Sequence, residues 1–251
     1  MKIKILITLF IIIVNHTILA ETAKIKIVSS ITPLAAIIAM LVKDQAEIIV
    51  IANNNACPHH YHLKPSDLKI VKDADIVFYI DQQFDGFDGK LMNSHSDNVF
   101  KISNFSGLNI IGDEFNNNWH IWLDLDNVII MLEQLAVILA KQFPAIDMIV
   151  NQNLVLDKQQ VADLRKIERE ELSSLQDVIL LSDSLEYFFN KNYKIAKLYN
   201  TNQKSLKYLS NLEELLNKSN SKCLILTIEQ NVENYKKFNA MIVAVESENW
   251  Q

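Results

Sequence analysis

Short β-branched runs alternate with helical stretches through the first third of the chain, and this alternation restricts the fold more than any other feature. Ile25 to Ser29 reads as a buried strand. Ser30 and Thr32 precede Pro33, and those hydroxyls and the proline mark the start of a helix over Leu34 to Val42. Glu47 to Ile51 is a second strand, Ser66-Asp67 opens a helix through Val71, and Asp75 to Ile80 is a third strand. This spacing predicts a parallel α/β sheet, and in such sheets ligands sit beyond the carboxyl ends of the strands.

The segment leaving the second strand concentrates metal-binding chemistry. Cys57-Pro58-His59-His60-Tyr61-His62-Leu63-Lys64-Pro65-Ser66-Asp67 holds three of the chain's six histidines. Imidazole binds zinc, manganese, iron and copper, and the two prolines favour an exposed loop. By itself the cluster also fits solvated surface histidines, with Tyr61 and His62 packing. Cys57 is a candidate soft ligand, but a small half-buried side chain is its expected role. It is not expected to pair with Cys223, which opens a late apolar run assigned to a different lobe. His95 lies in the Asp-containing region from Gln82 to Lys101, which reads as loop with one helical turn, and it is expected to be solvated. Val99 to Ile102 and Leu108 to Ile111 read as short strands. They lead to Trp119-His120-Ile121-Trp122-Leu123-Asp124, where a histidine between two tryptophans suits a packed core residue or a ligand equally.

Met1 to Ala20 reads as a cleaved signal peptide: Lys2 and Lys4 precede the apolar run Ile5 to Val14, which is short for a span of roughly 20 residues. A mature chain beginning at Glu21 is therefore expected in the periplasm. A hydrophobic content of 49% supports a substantial core, and a net charge of −6 argues against a nucleic-acid partner.

The histidine segment, followed by Ala74-Asp75-Ile76-Val77 and later by His120-Ile121-Trp122-Leu123-Asp124, resembles the metal-binding solute-binding proteins of bacterial zinc and manganese ABC transporters. The resemblance runs from Ile25 to about Tyr187 and weakens beyond. It implies two parallel-sheet α/β lobes joined by a long rigid helix, with a metal cleft between them. The corresponding division is 1–20 signal peptide, 21–143 N-terminal lobe, 144–176 linking helix and 177–251 C-terminal lobe. Residues Ala145 to Gln176 contain no Gly or Pro, and apolar Ile149, Leu154, Val161, Leu164, Ile167 and Leu172 recur at roughly helical spacing. A two-stranded coiled coil is the alternative for this stretch, but its apolar register is irregular.

By the same resemblance, His59 and His120 are metal ligands from the first lobe. The third ligand, histidine or glutamate in relatives, falls at Ser182, at the end of a strand over Val178 to Leu181, with Asp183 beside it. The last ligand, an aspartate in relatives, falls at Glu246, after strands over Cys223 to Ile228 and Ala240 to Val245. A neutral hydroxyl at Ser182 is a poor replacement for imidazole or carboxylate, so weakened affinity is expected. His60 and His62 are expected to assist capture or to be solvated rather than to coordinate the metal directly. The closing helix of relatives is absent, so a shortened second lobe with exposed apolar surface is expected. Two imidazoles with oxygen donors suit zinc or manganese and do not separate them; the resemblance implies zinc as cargo, with manganese as the alternative, delivered by a monomer to an ABC permease in the inner membrane. No Gly-x-x-x-x-Gly-Lys loop occurs, so energy for transport must come from that partner. Two other functions remain open: a degenerate relative that contacts a partner without carrying metal, and a zinc-dependent hydrolase. The latter lacks a His-Glu-x-x-His pattern.

Overall fold

The computed structural model describes residues 24–52, 61, 63–85, 97–113, 116–173, 177–189, 194–198, 205–218, 223–228 and 230–245. Two four-stranded parallel sheets form its framework. The first contains β1 (Ile25–Ile31), β2 (Ala46–Ala52), β3 (Ile76–Tyr79) and β4 (Val99–Lys101) in the order β2-β1-β3-β4. The second contains β5 (Asp177–Leu180), β6 (Lys194–Lys197), β7 (Cys223–Thr227) and β8 (Met241–Val245) in the order β6-β5-β7-β8. Numbered from their own first strands, the two orders are identical, so one topology is used twice. In each sheet the chain steps one way to its second strand and the other way to its third. This reversal creates a switch point at the carboxyl ends of β1 and β3, and another at those of β5 and β7.

β1 sits inside its sheet and is buried on both faces. Ile27 and Ile31 join the large core with α1 (Thr32–Val42), whereas Val28 faces the smaller cluster of Val71, Val77 and Tyr79. The helix α1 begins with Pro33 in its first turn, but neither Ser30 nor Thr32 caps it. The expected hydroxyl cap is absent because Ser30 Oγ donates instead to Asp85 Oδ2 at 2.5 Å, across the switch point.

α4 (Leu125–Gln142) shows why the apolar pattern folds as it does: Val128, Met131, Leu132, Leu135, Ala136 and Leu139 are all buried at helical spacing. Its N-cap is Asp124, whose Oδ1 accepts from the Asp126 amide at 2.9 Å. The α-helix α5 (Asp147–Leu172) follows a 3₁₀ turn at Pro144–Ile146, so it is shorter at both ends than the Gly- and Pro-free stretch. Its 26 residues extend about 39 Å. Val150 and Val161 enter the first-lobe core, and Leu172 packs against Val178, Leu180 and Leu185 of the second lobe. Asn153 Nδ2 also donates to the Leu41 carbonyl at 2.8 Å, which holds the end of α1 on this helix.

Several expectations change. Leu164 and Ile167 are more than half exposed, because the middle of α5 leaves the first-lobe core before it reaches the second. Leu108 to Ile111 forms no strand; Ile111 makes an isolated antiparallel bridge with Asn118. β6 and α7 (Leu206–Lys218) were not anticipated, and α7 buries Tyr208 and Leu212 against β5 and β7. α2 (Pro65–Lys72) and the single-turn helix α3 (Gln82–Asp85) fall where the sequence places them. β8 leaves Met241 and Val243 exposed on its surface. No helix among the described residues is long and apolar enough to cross a membrane. The segments 1–20, Cys57, His59, His60, His62, His95 and Glu246 lie outside the described residues.

Truncation experiments separate the buried and exposed parts of the helical layer. Leu135→Ala should cost about 2–5 kcal/mol of unfolding free energy, and Leu164→Ala no more than about 0.5 kcal/mol. Urea unfolding that shows equal losses would contradict this placement.

Candidate metal centre

The described site is built around His120, which is 3% exposed and precedes a 3₁₀ turn at Ile121–Leu123. The turn is fastened by Asn127, a fully buried residue of α4. Its Nδ2 donates to the Ile121 and Asn109 carbonyls at 3.1 and 2.9 Å, and its Oδ1 accepts from the Asn109 amide at 2.8 Å. Phe84 meets the imidazole edge-on at 5.5 Å, and Trp122 lies tilted against it at 5.2 Å between ring centres. The tryptophans therefore differ in role: Trp122 packs on the ring, whereas Trp119 is buried with its indole N–H unpartnered.

Asn118 determines the chemistry of the ring. Its Oδ1 accepts from the His120 amide at 3.1 Å and lies 2.9 Å from His120 Nδ1. Its Nδ2 donates to the Asp183 carbonyl at 2.6 Å, and this contact settles which end of the amide is which. Because an amide oxygen can only accept, Nδ1 of the neutral ring carries the proton and Nε2 holds the lone pair a metal needs. The same turn is clamped from the second lobe. Tyr187, in α6 (Glu186–Phe189), donates from its hydroxyl to the Asn118 carbonyl at 2.6 Å and accepts from the Ile111 amide at 3.0 Å. Burial pushes the Tyr187 hydroxyl up to about 12, so it stays a hydroxyl at neutral pH.

Ser182 and Asp183 leave the carboxyl end of β5 at the second switch point, where Gln230 stitches the strand ends together. Gln230 Nε2 donates to the Leu181 carbonyl, and its Oε1 accepts from the Thr227 amide, each at 2.9 Å. The structure thus brings His120 and the Ser182-Asp183 turn to opposite sides of one asparagine. Ser182 is half-buried with its Oγ 2.9 Å from Ser184 Oγ, and the Asp183 side chain is exposed. Among the described residues no three His, Cys, Asp or Glu side chains converge as a metal cage.

On the other side of the first lobe's switch point, Asp67 anchors the downstream end of the histidine-rich run. Tyr61 Oη and the Lys64 amide both donate to Asp67 Oδ2 at 2.7 Å. Burial opposes ionisation, but the hydrogen bonds from Lys64, Tyr61 and Ser66 outweigh it and hold the Asp67 carboxyl below its usual range. Sequence reasoning missed a second carboxyl, Asp85. It is 2% exposed, accepts from Ser30 Oγ and from the Ile80 amide at 2.7 Å, and has Oδ1 buried without a partner. Burial pushes it up to about 7. The only sequence signal was a pair of hydroxyls beside a proline, which reads equally well as a helix cap.

Comparison with known proteins decides the family. The family model for the zinc-uptake complex component A, periplasmic (ZnuA), matches residues 27–243. The chain belongs to this family. Its members are ABC-transporter substrate-binding proteins rather than enzymes, which removes the hydrolase reading. The chain is 48% identical over 235 residues to the uncharacterized protein RP014 of Rickettsia prowazekii, covering 92% of this chain and 77% of that one. It is 23% identical over 180 residues to the high-affinity zinc uptake system protein ZnuA of Haemophilus ducreyi, covering 60% of this chain and 58% of that protein. Streptococcal relatives of similar identity carry manganese or iron in their names. Among solved structures, the metal-dependent lipoprotein YcdH of Bacillus subtilis superposes with a TM-score of 0.79 at 17% identity, over 91% of this chain and 90% of that one. The two-lobe α/β fold of the ZnuA family is thereby established.

The Asp85 carboxyl yields a pH prediction. Between its ordinary value of 3.8 and about 7, the folded state holds a proton that the unfolded state has released, so stability falls as pH rises through this window. Asp85→Asn cannot titrate. Its stability relative to the parent should rise with pH by on the order of 1 kcal/mol per unit from pH 5 to 7 and level off above. A pH-independent difference in urea unfolding would show that Asp85 does not titrate in this window.

Proposed function

We propose that this ZnuA-family protein captures a divalent transition metal as cargo, zinc in preference to manganese, and delivers it from the periplasm to an ABC permease. His59 and His120 bind from the N-terminal lobe and Glu246 from the C-terminal lobe. The remaining position is filled by water, Ser182 or Asp183, and His60 and His62 assist capture. In this reading 1–20 is the signal peptide, 21–143 and 177–251 are the lobes, and 144–176 links them.

The observation that carries the proposal is the preparation of His120: a buried ring packed against Phe84 and Trp122, with Nδ1 bonded to an amide oxygen, so that Nε2 is the basic nitrogen of the neutral ring. A metal ligand needs its tautomer controlled in this way, because only a neutral nitrogen with a lone pair coordinates. Imidazole with oxygen donors suits zinc, which accepts a four-coordinate set that manganese generally exceeds. The family's zinc and manganese relatives make the choice of metal a matter for measurement. Ser182 supports weak rather than tight capture, since its hydroxyl is engaged with Ser184 and brings no charge. The same observation supports a second reading, in which the protein contacts a partner and no longer carries metal.

Calorimetric titration of the mature protein separates these readings. Zinc should bind one to one, and His59→Ala or His120→Ala should weaken it by on the order of 100-fold or more. Ser182→His should tighten it by supplying a third imidazole. Failure of the parent protein to bind zinc or manganese would overturn the transport reading in favour of partner binding.

A further inference from the structure

The contacts of Asn118 go beyond holding a loop. This residue is 8% exposed and uses every polar group it has: its amide N–H donates to the Ile111 carbonyl at 2.7 Å, and its carbonyl receives the Tyr187 hydroxyl. Its side-chain oxygen faces the imidazole and its side-chain nitrogen faces the Asp183 carbonyl. Two of these partners, Tyr187 and Asp183, belong to the second lobe, and one, His120, is the proposed ligand of the first.

We propose that Asn118 is a positioning residue that makes the coordinating nitrogen of His120 depend on the docking of the second lobe. An asparagine amide can be turned either way round in its socket, and the two orientations have opposite consequences for the ring. With Oδ1 toward the ring, Nδ1 is the protonated nitrogen and Nε2 the ligand; with Nδ2 toward the ring, Nδ1 must accept and Nε2 holds the proton. The His120 amide and the Asp183 carbonyl both select the first orientation, one by donating to Oδ1 and the other by accepting from Nδ2. When the 182–183 turn withdraws, the second constraint is lost and the correct tautomer is held less firmly. Tyr187 strengthens the link because it anchors the Asn118 backbone from the same lobe. The ligand atom is therefore prepared best when the lobes are docked as they are here.

This inference rests on the metal-binding reading for its purpose but not for its test, which reads the metal-free protein. Protein labelled with nitrogen-15 in histidine, kept in chelator at about pH 8, is examined by long-range proton–nitrogen NMR, with the His120 signals assigned by their loss in His120→Gln. The parent should show Nδ1 protonated. Asn118→Ala should shift the ring toward the Nε2-protonated form, and Asn118→Asp, which keeps an acceptor facing Nδ1, should restore the parental tautomer. Both variants lose the donor to the Asp183 carbonyl, so hydrogen exchange across residues 182–189 should quicken in both. In zinc titrations Asn118→Ala should weaken binding by about 10–100-fold. An Nε2-protonated ring in the parent overturns the proposal even if Asn118→Ala fails to fold. An unchanged tautomer in Asn118→Ala overturns the control of the ring, and unchanged exchange over 182–189 overturns its dependence on the second lobe. A parent that shows the expected tautomer yet binds no zinc would count against the transport reading alone.

Discussion

The burial of β1 from Ile27 to Ile31 on both faces is the constraint on which the first lobe depends. A strand with Ile27 and Ile31 on one face and Val28 on the other must be covered on both sides, and parallel neighbours β2 and β3 leave helices as the available cover. Once α1 and α4 occupy the larger face, α5 is held against them through Val150, Val161 and the Asn153 contact to the end of α1. Its remaining length carries the chain away from this core to Leu172 and the second sheet. The distance between the sheets is thus a consequence of where the first core stops, and the exposed Leu164 and Ile167 mark the interval.

Repetition of one strand order explains where the site lies. Both switch points open at carboxyl strand ends, and both are stitched by a polar side chain from the segment that follows the third strand. Asp85 accepts from Ser30 and the Ile80 amide in the first lobe; Gln230 joins Leu181 to Thr227 in the second. The carboxyl in the first lobe sits beside Phe84, whose ring meets both His120 and Trp122. A buried acid and a candidate ligand are therefore part of one packed unit, although they act in different ways. Asp85 secures the strand ends, and Asn118 orients the imidazole.

Tyr187 and Asn118 link the two lobes through buried hydrogen bonds. Tyr187 packs among first-lobe apolar residues while belonging to a second-lobe helix, and its hydroxyl both donates and accepts there. Hydrogen bonds buried in this way are costly to leave unmade, so they specify position as well as adding stability. Ser182 lies beside this junction, with its Oγ 2.9 Å from Ser184 Oγ.

The sequence alone was sufficient for the strand–helix alternation, the long helix and the His120 turn, because periodicity is a local property. It also sufficed for the family, whose motifs keep their order along the chain. It misassigned Ser30 as a helix cap and Leu108 to Ile111 as a strand, and it gave no sign of β6 or α7. In each case the outcome rested on partners distant in the chain: Ser30 meets Asp85, Ile111 pairs with Asn118, and α7 is retained by the core of the second sheet. The tautomer of His120 belongs to the same class. Asn118 is two residues away and could have faced it with either end of its amide; the His120 amide and the Asp183 carbonyl, the latter brought in by the second lobe, together select one orientation.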